Sequence, residues 1–98
     1  MQEPGDAYDW FARGYECRMA GDDRGAQAAF ENAVSGRFGE LSEFSRAGAL
    51  RALGELAEQR EDVAAAIEHY RAAIAADPKV GVSKRLGRLE RERARSDK

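Results

Sequence analysis

Apolar residues recur along this chain at three- and four-residue steps, the spacing that lines one face of a helix. Val63, Ala66, Ile67, Tyr70, Ala73 and Ile74 share such a face. Trp10, Gly14 and Cys17 share another near the start. No alternating apolar and polar run is long enough to compete as a strand. Breakers divide the pattern into segments. The spacing predicts helices over about residues 7–20, 23–35 and 41–59, a fourth from Asp62 to near Ala76, and a fifth over about 80–95. Gly21 suits the left-handed position after a helix end, and Asp22 and Asp62 suit N-caps. Gly36, Arg37, Phe38 and Gly39 form a break. Asp77 before Pro78 marks another, because proline disfavours helix in the residue before it and suits an early helical position itself. The fold class is therefore all-α.

The pattern also repeats. A shift of 40 positions aligns Trp10 with Leu50, Gly14 with Gly54, Asp22 with Asp62, Ala26 with Ala66, Phe30 with Tyr70, Ala33 with Ala73 and Val34 with Ile74. Each pair conserves size or role. Small residues at Gly14 and Ala26, and again at Gly54 and Ala66, let paired helices approach closely. Trp10, Phe30, Leu50 and Tyr70 fill the space around them.

Trp10, Gly14, Gly21, Asp22, Ala26, Phe30 and Ala33 together resemble a tetratricopeptide repeat (TPR). Leu50, Leu53, Gly54, Asp62, Ala66, Ile67, Tyr70, Ala73, Ile74, Asp77 and Pro78 resemble a second. The family repeat is about 34 residues, so an offset of 40 places about six extra residues between the copies, near Gly36 to Phe44. Repeats of the HEAT type have a similar length, but the order glycine, alanine, aromatic favours TPR. The resemblance implies a short right-handed solenoid of two helical hairpins and a terminal capping helix, about five helices in all. Residues 1–6 form a lead, 7–36 the first repeat, 37–46 an insert and the start of the third helix, 47–78 the second repeat, 79–95 the capping helix and 96–98 a tail. Val82, Leu86 and Leu89 supply an apolar face for that last helix. It either caps the solenoid or begins a third repeat that a second copy completes as a homodimer.

By the same resemblance, the chain is a non-enzymatic protein-interaction module that takes a peptide or protein segment in a concave groove. Groove candidates on the first helix are Tyr8, Phe11, Tyr15 and Arg18. The shift of 40 gives Gly48, Arg51, Glu55 and Glu58, and a further shift of 33 gives Gly81, Lys84, Arg88 and Arg91. This groove runs from an aromatic end to a basic end, which suits an acidic segment or a C-terminal carboxylate near Lys84 and Arg88. Two blander roles stay open. Tyr8, Phe11 and Tyr15 can pack on Leu41 and Phe44, and Glu55 and Glu58 can neutralise Arg88 and Arg91. TPR domains that clamp chaperone carboxylates carry Lys and Asn where Phe11 and Tyr15 stand, so that form of clamp is not expected.

Composition narrows the function classes. A chain of 98 residues, 43% hydrophobic and 35% charged, is one small globular domain rather than a fibrous or proline-rich segment. No apolar run approaches the roughly 18 residues of a membrane span. The opening residues 1–6 are acidic and lack an apolar core, so no secretory signal is expected and a cytoplasmic location is the default. Residues 1–78 carry 15 acidic and 8 basic side chains, whereas residues 79–98 carry 3 and 8. The interleaved signs of the basic end read as a solvated helix rather than a nucleic-acid arm. The single His69 reads as an exposed helix residue and the single Cys17 as a small core hydrophobe. Neither belongs to a nucleophile–base constellation. Nor does the chain show zinc-ligand spacing or a phosphate-binding glycine loop. No enzyme activity, metal or cofactor is expected.

Overall fold

Aspartate and serine side chains set where the helices begin. The computed structural model describes residues 4–96, which form α1 (Ala7–Met19), α2 (Asp23–Val34), α3 (Glu43–Gln59), α4 (Val63–Ala76), a short 3-10 turn (Pro78–Val80) and α5 (Ser83–Ser96). Residues 1–3 of the expected lead and 97–98 of the expected tail lie outside the described residues. The first backbone N–H groups of a helix lack intrahelical acceptors, so a short polar side chain just before it supplies one. Asp22 accepts from Gly25 N–H at 2.9 Å, and Asp62 accepts from Ala65 N–H at 3.1 Å. Asp6 and Asp9 cap α1 reciprocally, with Asp9 N–H donating to Asp6 at 2.9 Å and Asp6 N–H to Asp9 at 3.3 Å.

Consecutive helices pack in chain order, α1 on α2, α2 on α3, α3 on α4 and α4 on α5. Tyr70, Phe30, Leu53 and Ile67 are the largest fully buried side chains. Two glycines let the aromatic rings in. A Cβ built on Gly14 would stand 2.6 Å from the Phe30 ring, and one on Gly54 would stand closer still to the Tyr70 ring. The two rings therefore occupy the space a side chain would take. This is the same device used twice, 40 positions apart.

The connection between α2 and α3 is also structured. Gly36 and Gly39 hold φ of 84° and 108°, a region closed to most side chains. The loop folds back so that the Phe38 carbonyl accepts Ala7 N–H at 2.9 Å, tying down the start of α1. Arg46, on α3, donates to the Val34 carbonyl at the end of α2 at 2.9 Å.

Several expectations change. The third helix starts at Glu43 rather than near residue 41, because Ser42 accepts Ser45 N–H at 3.1 Å and acts as the cap. The fifth starts at Ser83 rather than near residue 80. Asp77 closes the 3-10 turn by accepting Lys79 N–H at 3.0 Å, and Gly81 then turns left-handed at φ 82°, which interrupts the helix. Trp10 is half-buried and lies outside the main core, with its ring 5.3 Å from that of Phe38. Cys17 is half-buried at the edge of the core. His69 is half-buried rather than exposed, and burial holds its imidazole below its ordinary basicity. On α5, Leu89 is buried, Leu86 is half-buried, and Val82 just before the helix is buried. The apolar face of this helix is covered within the chain.

Candidate functional site

The aromatic residues of α1 are placed by the residues beneath them. Phe11 and Tyr15, one turn apart, meet edge to face at 5.1 Å. Tyr15 also packs edge-on to the buried Phe30 at 5.0 Å, and Phe11 does so at 6.3 Å. Both rings remain half-buried, so one side of each belongs to the core and the other is open. Gly48 of α3 faces them. A Cβ there would make ordinary contacts, 3.6 Å from the Tyr15 hydroxyl and 3.9 Å from the Phe11 ring, so the space beside Gly48 admits a methyl group without a clash. The result is a cleft of about 240 Å³. Phe11, Tyr15, Phe44 and Val80 form its apolar walls, and Arg51, Lys79 and Asp77 supply its charges. Phe44 is 80% exposed, a large apolar ring standing in solvent at the cleft's edge.

Beside the cleft runs a chain of ion pairs linking three helices. Arg18 of α1 donates to Glu55 Oε1 at 2.7 Å, and Arg85 of α5 donates to Glu55 Oε2 at 3.1 Å. Arg85 also lies 3.8 Å from Glu58, and Arg88 donates to Glu58 at 2.9 Å. Arg88 Nε stands 3.8 Å from Glu92 one turn further along α5. Burial opposes the charge on Glu55, but the hydrogen bonds from Arg18 and Arg85 outweigh it and hold the carboxyl below its ordinary range. The Tyr70 hydroxyl donates to Glu58 Oε1 at 2.5 Å. Burial first, and then that bond to a carboxylate, push the Tyr70 phenol up to about 12. The buried ring that fills the Gly54 gap thus carries its polar tip into the charge network.

The predicted site residues separate into groups. Phe11, Tyr15 and Arg51 come together at the cleft. Arg18, Glu55 and Arg88 do not. Arg18 and Glu55 pair with each other, Glu55 also takes Arg85, and Arg88 pairs with Glu58, so of the expected basic end Arg88 is neutralised where α5 meets α3. Tyr8 lies beside the N-terminus of α3, where its hydroxyl accepts Ser42 N–H at 2.9 Å. Lys84 and Arg91 are exposed on α5 and do not line the cleft. Sequence reasoning missed Arg85, Lys79 and Val80. Arg85 was findable, since Glu55 with Glu58 and Arg85 with Arg88 share the three-residue spacing that places both charges on one helix face. Lys79 and Val80 reach the cleft only because the 3-10 turn and Gly81 fold the link after α4 back beside α3.

Among the described residues, no group of three or more His, Cys, Asp or Glu side chains could hold a metal ion. No helix among them is long and apolar enough to cross a membrane. No known protein family, curated protein or solved structure matches the chain.

Proposed function

We propose that this chain is a protein-interaction module built as two TPR-like helical hairpins with α5 as a terminal cap, and that it binds a peptide segment along the face shared by α1 and α3. The observation that carries this reading is the open side of the Phe11–Tyr15 pair. Two aromatic rings in edge contact, held from below by Phe30, present a rigid apolar wall to a cleft floored by Gly48. Rigid aromatics in a recess are the anchors that dominate many peptide interfaces. The matched pairs support the repeat reading. Asp22 and Asp62 take nearly the same backbone angles, φ −90° and −93°, and cap successive hairpins in the same way. Ala26 and Ala66, Phe30 and Tyr70, and Ala33 and Ala73 are buried in pairs.

Selection from a displayed random-peptide library tests this function. The immobilised chain should enrich related peptides, and a Gly48→Leu variant should lose them while keeping its helical circular dichroism, because the added side chain occupies the cleft. Enrichment that the Gly48→Leu variant retains would overturn the reading. Assembly through α5 as a homodimer is the weaker reading, because Val82 and Leu89 are already buried inside one chain.

A further inference from the structure

Cations and carboxylates are unevenly matched on this face. α3 carries Arg51, Glu55 and Glu58 on successive turns. The two oxygens of Glu55 are taken by Arg18 and Arg85, and those of Glu58 by Tyr70 and Arg88. No oxygen of Glu55 or Glu58 is left for Arg51. Its charge adds to the field on Glu55, yet it makes no ion pair among the described residues. Lys79, across the cleft on the 3-10 turn, has no ion pair among the described residues either. The one acidic side chain lining the cleft is Asp77, whose Oδ1 accepts the Lys79 backbone N–H at 3.0 Å. Two side-chain cations thus share one small recess with a single carboxylate, which leaves it with an excess of one positive charge.

The geometry points to an acidic linear peptide with one large apolar anchor as the occupant of this cleft, an inference that rests on the peptide-binding reading above. The volume argues for a single anchor, since about 240 Å³ is smaller than a pocket for a drug-sized ligand and holds one ring or branched chain. The anchor packs against Phe11, Tyr15 and Val80. A carboxylate beside it takes charge-assisted hydrogen bonds from Arg51 and Lys79. Specificity then comes from the cations, because a basic peptide would meet two like charges at the same rim.

Four fluorescein-labelled heptapeptides test this by fluorescence anisotropy. In the first, phenylalanine is flanked on each side by two aspartates. The others replace the aspartates with asparagines, replace them with lysines, or replace the phenylalanine with glycine. The aspartate peptide is expected to bind at least about tenfold tighter than the asparagine peptide, the scale of one charged hydrogen bond. That gap should shrink as salt is raised. The Arg51→Glu, Lys79→Glu double variant should reverse the order and favour the lysine peptide, and Lys79→Glu alone, at an exposed site, should narrow the gap. Equal binding of the aspartate and asparagine peptides, or a preference that survives the double variant, overturns the acidic occupant. If the asparagine peptide binds as well and is lost with Gly48→Leu, the cleft reading stands without it. If no peptide shifts the Phe11 and Tyr15 ring signals in NMR spectra, both are overturned.

Discussion

Glu61 holds φ 62°, the left-handed conformation that Gly21 holds at φ 81° 40 positions earlier. The surrounding turn is the same in both places. Asp22 N–H donates to the Cys17 carbonyl at 2.8 Å, and Asp62 N–H to the Ala57 carbonyl at 2.9 Å. This backbone costs a side-chain-bearing residue roughly 1–2 kcal/mol, whereas glycine adopts it freely and loses about 0.5–1 kcal/mol through its more flexible unfolded chain. Glu61→Gly should therefore stabilise the protein by about 0.5–1 kcal/mol. Urea unfolding monitored by circular dichroism measures it, and a lower midpoint would mean that Glu61 makes stabilising local contacts that outweigh the strain.

Three glycine substitutions should separate sharply. Gly14→Ala and Gly54→Ala place a methyl group against fully buried rings that have no room to yield, at a cost of about 1–3 kcal/mol each. Gly48→Ala meets only ordinary contacts in the open cleft, and the better helix propensity of alanine should raise stability by up to about 1 kcal/mol. Thermal melts of the three variants check this. Similar losses in all three would mean that Gly48 is packed as tightly as the others.

Acid should loosen the link between α1, α3 and α5. The folded state holds Glu55 below its ordinary carboxyl range, so the unfolded chain takes up that proton first. The stability Glu55 contributes is complete above the ordinary glutamate value and is lost as pH falls through the lower folded value. Urea midpoints measured from neutral pH down to about pH 3 should fall less steeply for Glu55→Gln than for the parent chain. Parallel curves would remove Glu55 from the account.

Alkali acts on the same network through Tyr70. Its phenol is raised from 10.0 to about 12, so the folded state favours the neutral form. That contribution is complete below pH 10 and is lost as pH rises through about 12. Tyr70→Phe should cost about 1 kcal/mol at neutral pH, the value of one hydrogen bond. The advantage of the parent chain over the variant should narrow above pH 10. An advantage that stays constant up to pH 12 would contradict the raised phenol.

Much of the fold was legible in the sequence because its determinants are local. Asp22, Asp62 and the Asp77–Pro78 step act on backbone within a few residues of themselves, and all three bound helices where their chemistry predicts. The shift of 40 matched Gly14 with Gly54 and Phe30 with Tyr70, and in each copy the ring lies where a side chain on the glycine would stand. Trp10 departs from Leu50, its match at the shift of 40: Leu50 is buried in the core, whereas Trp10 is half-buried outside it with its ring against Phe38 of the connection between α2 and α3. The aromatic part of the candidate site was legible for the same reason as the core, since Phe11 and Tyr15 sit one helical turn apart.

The charges of the site were decided only in three dimensions. Counting side chains along the chain gave a basic end at α5, but an ionic partner is chosen by distance in space. Arg88 faces Glu58 across 30 positions of sequence, and Arg85 faces Glu55 across the same interval, so the basic helix is neutralised where it meets α3. Arg51 and Lys79 make no ion pair among the described residues, and both oxygens of Glu55, one turn from Arg51, are taken by Arg18 and Arg85. Helix faces follow from a periodicity written in the sequence. Which cation is left over depends on how the 3-10 turn and Gly81 set α5 against α3, and only packing determines that angle.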